Sequence, residues 1–410
     1  MNVWKQLAVA DLLADNKLVI GDGYRAKNEE LSSTGLPFAR AGNINCGFQF
    51  KEADHFPEAN LQRVGNKVSQ PGDVVFTSKG TVGRFALVRE NTQRFVYSPQ
   101  LCFWRATDGS TIDSRFLYFW MYGREFFLQY KGVAGQTDMA EYVSLGDQRR
   151  MYITLPDISE QRAIASVLGS LDDKIELNRR MNETLEALAQ SLFKSWFVDA
   201  TQSALPKGWR ETVLSECCEN IFSGGTPSTQ AADYWGGDIP WLSSGETRSR
   251  FIIDTEKTIT PLGVENSSTR PARTGSTVIA SAGQGHTRGQ TSFLTFDSYI
   301  NQSVVVLVAD KSVLSDLFLF FDLARRYEQF RQMSDSQSSR GSLTTKLLAE
   351  MKVVVPPRAL ISKFDDTVAP MTKKIIANLH ESRTLAALRD ALLPKLLSGE
   401  LRVGNNTKQP

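Results

Sequence analysis

The stretch LDDKIELNRRMNETLEALAQSLFKSWF, residues 171–197, decides the organisation of the chain. It contains neither Gly nor Pro, and its apolar residues recur at the three- and four-residue intervals of one helix face. Upstream, Asp157 or Ser159 is placed to cap the first turn. A helix from 159 to 197 would be about 58 Å long at a rise of ~1.5 Å per residue. The sequence therefore predicts an unusually long helix near the middle of a 410-residue chain.

The second half of the chain repeats the motifs of the first half at an offset of about 200 residues. MYITLP (151–156) aligns with MKVVVP (351–356), and PGDVVFTSKGTVG (71–83) aligns with TGSTVIASAGQGH (274–286). Within the long helix, the residue types that recur 200 positions later include Lys174, Ile175, Asn178, Leu185, Leu188 and Leu192. Because the motifs occur in the same order twice, we infer an internal duplication.

Each copy is expected to be a β-rich unit followed by a long helix. Short β-branched runs such as DVVFT (73–77) and SVVVLVA (303–309) are bounded by turn-forming residues, which is typical of strands joined by turns. We predict an α+β fold with two tandem β-rich units, a pseudo-two-fold internal repeat and a pair of long antiparallel helices. The predicted boundaries are unit one at 1–155, the first helix at 156–200, unit two at 201–356, the second helix at 357–403 and a disordered tail at 404–410.

The apolar positions of the two helices predict a coiled-coil seam, although ordinary bundle packing would give a similar pattern. The predicted seam residues are Leu168, Leu171, Ile175, Leu185, Leu188 and Leu192 in the first helix, and Val368, Met371, Ile375, Leu385, Leu388 and Leu392 in the second. The second helix contains Pro370 and Pro394, and a proline removes one backbone hydrogen bond. We therefore expect a kink or break near Ala369 and an end of that helix around Leu393.

Composition and charge indicate a globular protein, with 41% hydrophobic and 22% charged residues. No apolar run approaches the roughly 18 residues of a membrane span, and the start MNVWKQLAVADLL lacks signal-peptide features, so a cytoplasmic location is expected. The net charge of +2 does not exclude DNA binding, because a local patch sets phosphate affinity. Four cysteines without CxxC spacing and three histidines give no zinc pattern.

The motifs of common enzyme active sites are missing from the sequence. There is no GxxxxGK[ST], HExxH or GxSxG, and no (Asn/Asp)-Pro-Pro-aromatic motif of the kind found in methyltransferases. GQGHTRGQ (283–290) is Gly-rich, but it opens no convincing helix, so an exposed turn between strands is the preferred interpretation. We expect a chain without catalytic residues or a metal site.

Polar loops occur at matching places in both copies, and they are the candidate DNA-binding residues. Arg can pair with guanine, Asn and Gln can pair with adenine, and Ser or Thr can bond to bases or phosphates. The candidates are Arg40, Asn43, Ser78, Lys79, Thr81, Arg84, Gln136 and Thr137 in the first copy, and Ser243, Ser244, Ser281, Gln284, His286, Thr287, Arg288, Gln290, Gln337, Ser339 and Arg340 in the second. The copies differ most in these loops, which is expected if each reads a different target.

At the end of the central helix, LFKSWF (192–197) places Phe193, Trp196 and Phe197 together. A partner-binding anchor and an inter-domain packing patch explain these aromatic residues equally well.

With the repeat, the loops and the paired helices, the whole chain resembles the specificity subunit of a type I restriction-modification system. The resemblance is carried by GYRAKNEELSSTGLPFARAGNI (23–44), LPDISEQRAIASVLGSLDDKIELNRRMNETLE (155–186), LPKGWR (205–210) and LRDALLPKLLSGEL (388–401). The second and fourth of these segments are specific to the family, whereas the motifs inside the β-rich units are looser.

The resemblance implies two target recognition domains that each read half of an asymmetric bipartite DNA site. The helix pair would set the spacing and dock two methylation subunits, through which restriction and translocation subunits join. It further implies that S-adenosylmethionine, ATP and magnesium act on partner subunits and that this chain binds none of them. Two alternatives stay open at this point: the recognition part of a fused methyltransferase or nuclease, and a scaffold that does not bind DNA.

Overall fold

The structure, a computed structural model, describes residues 4–45, 47–78, 83–133, 143–283, 286–335 and 342–403. The chain divides into two compact units. Unit 1 comprises Met1–Lys174 with Thr384–Pro410, and unit 2 comprises Ile175–Arg383. Each long helix therefore begins in one unit and ends in the other, and each unit contains segments of both helices.

Unit 1 is built on paired strands. These are β1 (Lys5–Ala8), β2 (Leu18–Asp22), β3 (Leu36–Ala39), β4 (His55–Phe56), β5 (Val74–Thr77), β6 (Phe85–Leu87), β7 (Val96–Tyr97), β8 (Leu101–Ala106) and β9 (Tyr152–Leu155). They pair in the orders β1-β9, β2-β8-β5-β6 and β4-β3-β7, and β3 and β7 are parallel. β5 is buried at every position because Val74 and Phe76 face one core and Val75 faces another.

The shorter helices of unit 1 are α1 (Val9–Ala14), α2 (Ser114–Tyr122), α3 (Arg124–Val133) and α4 (Leu145–Gln148). α2 begins where the Asp113 carboxylate accepts hydrogen bonds from the backbone amides of the first turn. Its buried face includes Phe116 and Trp120, which join Trp104 of β8 in the main core of the unit.

Helix α5 (Ile158–Phe193) confirms the predicted long helix with 36 residues, and a π-helical turn (Lys194–Val198) follows it. Of the two predicted caps, Asp157 performs the capping: its carboxylate accepts from Glu160 N at 2.9 Å and from Ser159 Oγ at 2.5 Å. These hydrogen bonds lower the pKa of Asp157.

Unit 2 repeats the strand pairing of unit 1. Its strands are β10 (Arg210–Val213), β11 (Cys218–Ser223), β12 (Trp235–Leu242), β13 (Phe251–Ile252), β14 (Lys257–Ile259), β15 (Arg270–Ala272), β16 (Thr277–Ala280), β17 (Thr291–Leu294), β18 (Ser298–Ile300), β19 (Val304–Ala309) and β20 (Lys352–Val355). The orders are β10-β20, β11-β19-β16-β17-β13 and β14-β12-β18-β15. Since β11-β19-β16-β17 matches β2-β8-β5-β6 and β14-β12-β18 matches β4-β3-β7, the predicted duplication is present in the sheets.

The shorter helices of unit 2 are α6 (Pro261–Glu265), α7 (Asp316–Ala324), α8 (Tyr327–Asp335) and α9 (Thr345–Ala349). α7 is capped by Ser315 and contributes Phe318, Phe320 and Phe321 to the core. Among the described residues, no helix combines the length and the hydropathy that crossing a membrane requires.

Helix α10 (Arg358–Leu397) runs for 40 residues and corrects two expectations. It continues through Pro370 without a break near Ala369, and it ends at Leu397 rather than around Leu393. Pro370 and Pro394 are both exposed. On an exposed face, water can hydrogen-bond to the carbonyl that loses its amide partner, so the helix tolerates these prolines.

The segments of α5 and α10 within unit 2 lie antiparallel, because Asn178 Nδ2 donates to Glu381 Oε2 at 2.9 Å and Asn182 Nδ2 donates to the carbonyl of Ile375 at 3.4 Å. In unit 1, Arg389 and Asp172 form an ion pair with an N–O distance of 2.7 Å.

Two predicted seam residues need correction, since Leu188 and Leu388 are 45% and 46% exposed. Of the other ten, Leu168, Val368 and Ile375 are buried, and Leu171, Ile175, Leu185, Leu192, Met371, Leu385 and Leu392 are half-buried.

Candidate nucleic-acid interface

A short 3-10 turn follows β3 in unit 1, at Ala41–Asn43, and we call it turn A. The backbone amide of Arg40 donates to Asn43 Oδ1 at 2.8 Å, and Asn43 Nδ2 donates to the carbonyl of Gln49 at 2.8 Å. Arg40 also forms an exposed ion pair with Asp54, with an N–O distance of 2.7 Å. Asn43 therefore shapes the turn, and Arg40 presents a guanidinium group at the surface.

The matching 3-10 turn of unit 2, Ser244–Arg248, follows β12, and we call it turn B. The backbone amide of Ser243 donates to Glu246 Oε2 at 2.6 Å, just as Arg40 N donates to Asn43 in turn A. Glu246 Oε1 accepts a second bond from Glu256 N at 2.8 Å. Turn B is closed by the acidic side chain of Glu246, whose pKa is raised by burial, where turn A has the neutral amide of Asn43.

The predicted serines at the ends of β5 and β16 have equivalent structural roles. Ser78 N donates to the carbonyl of Gln100, and Ser281 N donates to the carbonyl of Ser303, each at 2.9 Å. Ser78 is 1% exposed and Ser281 is 6% exposed. Both serines therefore hold the hairpin end against the neighbouring strand, and their side chains have little access to a ligand.

An arginine joins the hairpin to the 3-10 turn in each unit. In unit 1, Arg84 Nη1 donates to the carbonyls of Ala41 and Ile44, each at 3.3 Å. In unit 2 the link runs in the opposite direction, since Arg248 Nη2 of turn B lies 3.5 Å from Thr287 Oγ1 of the hairpin loop. The turn and the hairpin end form one surface in each unit, which brings Arg40, Asn43 and Arg84 together in unit 1.

The loop after β16 is tied to α8 in unit 2. The carbonyl of His286 accepts from Tyr327 Oη at 3.0 Å and from Gln290 Nε2 at 3.1 Å. Arg288 pairs with Asp335, and Thr287 is 7% exposed. His286 keeps an exposed side chain, whereas Thr287 and Arg288 serve mainly to hold the loop in place.

Several predicted residues cannot be placed on this surface. Lys79, Thr81, Gln136, Thr137, Gln284, Gln337, Ser339 and Arg340 lie outside the described residues. Ser243 and Ser244 are half-buried at the start of turn B.

Two exposed residues at the interface escaped the sequence prediction: Gln100, whose Oε1 accepts from Ala41 N at 3.0 Å, and Arg248. Gln100 is a polar residue directly before the buried strand β8. A polar residue at the end of a buried strand is the sequence signal that could have identified it.

An open cavity of about 380 Å³ lies beside turn A. Its lining includes the predicted residues Arg40 and Asn43 together with Phe38, Asp54 and Gln100. The lining contains one guanidinium group, two amides, two carboxylates and the largely buried ring of Phe38. The guanidinium and amide groups can hydrogen-bond to base edges and phosphates.

The aromatic residues at the end of α5 have mixed exposure. Phe193 and Phe197 are 2% and 5% exposed, and they pack around Phe364 with ring centroids 5.5 and 5.2 Å away. Trp196 is half-buried, and Lys363 Nζ lies 5.4 Å from its ring centroid. Core packing accounts for both phenylalanines, and Trp196 keeps an accessible face.

No group of three or more metal-ligating side chains occurs within the described part of the chain. The adjacent thiols of Cys217 and Cys218 have pKa values raised by burial to about 11 and about 12. A raised thiol pKa disfavours the thiolate that metal binding and nucleophilic attack require.

The sequence and the fold of the chain resemble those of known proteins. The family described as "Type I restriction modification DNA specificity domain" matches residues 19–187 and 206–379. The type I restriction enzyme HindI specificity subunit of Haemophilus influenzae is 22% identical over 415 residues, which cover 83% of this chain and 89% of the relative. The MjaIX specificity subunit of Methanocaldococcus jannaschii is 24% identical over 364 residues, with coverage of 84% and 81%. A crystal structure of a type I restriction-modification S subunit from M. genitalium, 18% identical, has a TM-score of 0.59 and 96% coverage of both chains, which shows a shared fold.

Proposed function

Because the chain belongs to the type I restriction-modification DNA specificity family, we propose that each of its two units reads one half of an asymmetric bipartite DNA site. The chain is the non-catalytic specificity component of such a system. The observation that carries the proposal is the surface that joins a 3-10 turn to a hairpin end, once in each unit. The two surfaces share a framework and differ in their exposed polar groups, as two readers of different sequences should.

The residues proposed to read bases are the exposed ones at each surface. In unit 1 these are Arg40 and Gln100, and in unit 2 they are Arg248 and His286. A guanidinium group can donate two hydrogen bonds to guanine, and a glutamine amide can pair with adenine in the major groove. Arg84 is proposed as a positioning residue because its guanidinium group is bonded to turn A.

We propose that the two long helices set the spacing between the half-sites. Both helices continue without interruption from one unit into the other. Seven residues inserted after Lys174 and seven before Thr384 preserve the seam and add about 10.5 Å of helix at ~1.5 Å per residue. At ~3.4 Å per base pair, the recognised spacer should lengthen by about 3 base pairs. An unchanged spacer with retained binding would contradict this role.

The partners proposed for this chain are double-stranded DNA, two methylation subunits and, through them, restriction and translocation subunits. Members of this family work with DNA and with other subunits of the system. We propose that S-adenosylmethionine, ATP and magnesium are bound by those partner subunits, where the methylation and cleavage of DNA would take place.

Genome-wide adenine methylation with and without this gene tests the recognition role. Loss of one bipartite motif on deletion is the expected result, and an unchanged methylome with an active methylation subunit present would overturn the proposal. Variants of each unit then show which half of the DNA site that unit reads. R40A with Q100A should relax sequence preference in one half only, and R248A with H286A should relax it in the other.

A further inference from the structure

We propose that unit 2 carries a docking cavity for one apolar side chain of a partner protein, which is held beside a carboxylate of the same partner. The choice of partner rests on the proposed function: we infer that it is a methylation subunit. The cavity lies at the end of α5 and has a volume of about 330 Å³.

The floor of the cavity is apolar. Phe193, Val198, Phe321 and Ala324 line it, and both phenylalanines are otherwise buried in the core of the unit. At this point α5 gives way to the π-helical turn Lys194–Val198, a departure from regular helix that is frequent at functional sites. Because an apolar cavity of about 150 Å³ can hold a benzene ring, this cavity has room for an aromatic or large aliphatic side chain.

The rim of the cavity carries three cationic side chains, Lys194, Arg250 and Arg325. Each cation already contacts one carboxylate of the chain. Lys194 lies 2.8 Å from Asp199, Arg250 lies 2.9 Å from Glu186, and Arg325 lies 2.6 Å from Asp322.

The guanidinium groups of the rim have donors to spare. Arg250 uses Nε and Nη1, and Arg325 uses Nε and Nη2. Within the described part of the chain, Arg250 Nη2 and Arg325 Nη1 have no protein acceptor. An acidic side chain next to the inserted apolar one would satisfy these donors.

The equivalent place in unit 1 is built differently. α2 and α7 have the same length after their caps Asp113 and Ser315, so that Ala324 corresponds to Tyr122 and Arg325 corresponds to Gly123. Leu397 fills the space before Gly123, where an added Cβ atom would lie 2.6 Å from Leu397 Cδ1. Unit 1 thus has Tyr122 where unit 2 has the small Ala324, and it has Gly123 beside Leu397 where unit 2 has the cation Arg325. The lining of the cavity is therefore not repeated in unit 1, and we expect one of the two methylation subunits to contact it.

Site-specific photo-crosslinking in the complex of the full chain with its methylation subunit tests the docking. A photoreactive residue replaces Gln190, an exposed residue of the cavity lining, and in the control variant it replaces Lys346, an exposed residue of unit 2 away from the lining. We expect a crosslink from position 190 to a partner segment in which an aromatic or aliphatic residue neighbours Asp or Glu, and no equivalent crosslink from position 346.

Affinity measurements give the second readout. A324Y copies the tyrosine of unit 1 into the cavity and should weaken one of the two partner-binding steps at least tenfold, and R325Q should weaken the same step at least threefold. K346Q, which removes an exposed cation of unit 2 away from the lining, should leave both steps unchanged. If A324Y and R325Q bind as wild type does and position 190 gives no crosslink, the docking cavity is overturned, but the proposed partner is not. A wild-type chain that binds no methylation subunit would overturn the proposed partner as well.

Discussion

Asn178 and Asn378 occupy the same position in the two copies of the repeat and contact each other, since Asn178 Nδ2 lies 3.4 Å from the backbone oxygen of Asn378. They are 1% and 0% exposed. Asn378 Nδ2 also donates to Asn182 Oδ1 at 2.8 Å. Within the described chain, neither Asn178 Oδ1 nor Asn378 Oδ1 has a hydrogen-bond partner. A buried polar pair of this kind can fix which residues of two helices face each other, at a cost in stability.

The first prediction concerns the stability of this helix pair. N378A removes a donor and leaves Asn182 Oδ1 unsatisfied, so it should lower the free energy of unfolding of unit 2 by about 1–3 kcal/mol. N182L combined with N378L removes the donor and the acceptor of that bond together, so it should be closer to neutral than N378A. Urea denaturation followed by hydrogen exchange in α5 and α10 measures both effects. K373A, at an exposed position of α10, should stay within about 0.5 kcal/mol of wild type.

A buried ion pair in unit 1 gives the second prediction. The fully buried carboxylate of Asp73 accepts from Arg105 Nε at 2.5 Å, from Arg105 Nη2 at 2.8 Å and from Tyr97 Oη at 2.6 Å. D73A leaves the guanidinium group without its counter-ion and should cost about 3–5 kcal/mol. The measurement is hydrogen exchange of the β5 and β8 amides.

The matched control for D73A is a pair at the surface. Asp15 and Lys17 form an ion pair with side chains 59% and 37% exposed, and D15A should cost no more than about 1 kcal/mol because water screens the pair. If D73A and D15A lower the free energy of unfolding equally, the buried ion pair of Asp73 contributes no more to stability than the exposed pair of Asp15.

The third prediction is a pH dependence in the loop before α2. Asp108 accepts hydrogen bonds from Ser110 Oγ at 2.8 Å, Thr111 Oγ1 at 2.7 Å and Ser110 N at 2.9 Å, which lower its pKa to about 2. Because the folded pKa lies below the ordinary value of 3.8, these bonds stabilise the loop fully above that value, and the stabilisation is lost as the pH falls through about 2. The amide shifts of Ser110 and Thr111 should follow this midpoint by NMR. A midpoint near 3.8 would contradict it, and D108N should abolish the transition.

The repeat could be predicted from the sequence because some of its residues are needed for the local backbone conformation in both copies. Gly72 and Gly275 have φ values of +89° and +88°, which favour glycine, and their amides donate at 2.8 Å to Val88 and Leu294 at equivalent places. A turn that needs a positive φ keeps its glycine in both copies, so the motifs aligned. The pairing partners of the strands are set by contacts distant in sequence and needed the structure.

The candidate site was predicted only in part, for a physical reason. Sequence patterns identified polar loops, but they could not separate residues that hold a loop, such as Ser78 and Thr287, from those that face outward, such as Arg40. That distinction depends on burial against distant strands. The three- and four-residue spacing of leucines predicted Leu188 as a seam residue, but spacing alone does not show whether a residue is buried, and Leu188 is 45% exposed.

The fourth prediction assigns docking of the methylation subunits to the two exposed leucines. TLEALAQSL (184–192) in unit 2 and TLAALRDAL (384–392) in unit 1 are copies of one motif, and Leu188 and Leu388 are 45% and 46% exposed. Burying a leucine side chain contributes about 1.5–3 kcal/mol, so L188S should weaken one partner-binding step by about tenfold or more and L388S should weaken the other. Native mass spectrometry and calorimetry of the assembled complex measure both steps.

Leu177 provides the matched control for this docking prediction, since it is an exposed leucine of α5 whose counterpart 200 residues later is Ala377. It is 52% exposed, so L177S removes as much accessible apolar surface as L188S without touching the repeated motif. If L177S weakened the binding of a methylation subunit as much as L188S does, docking would not be specific to the repeated motif that contains Leu188 and Leu388. We expect L177S to bind both methylation subunits as wild type does. The L188S, L388S double variant should weaken both steps by the same factors as the single variants, and its thermal stability should change little because nearly half of each leucine is already in contact with water in the free chain.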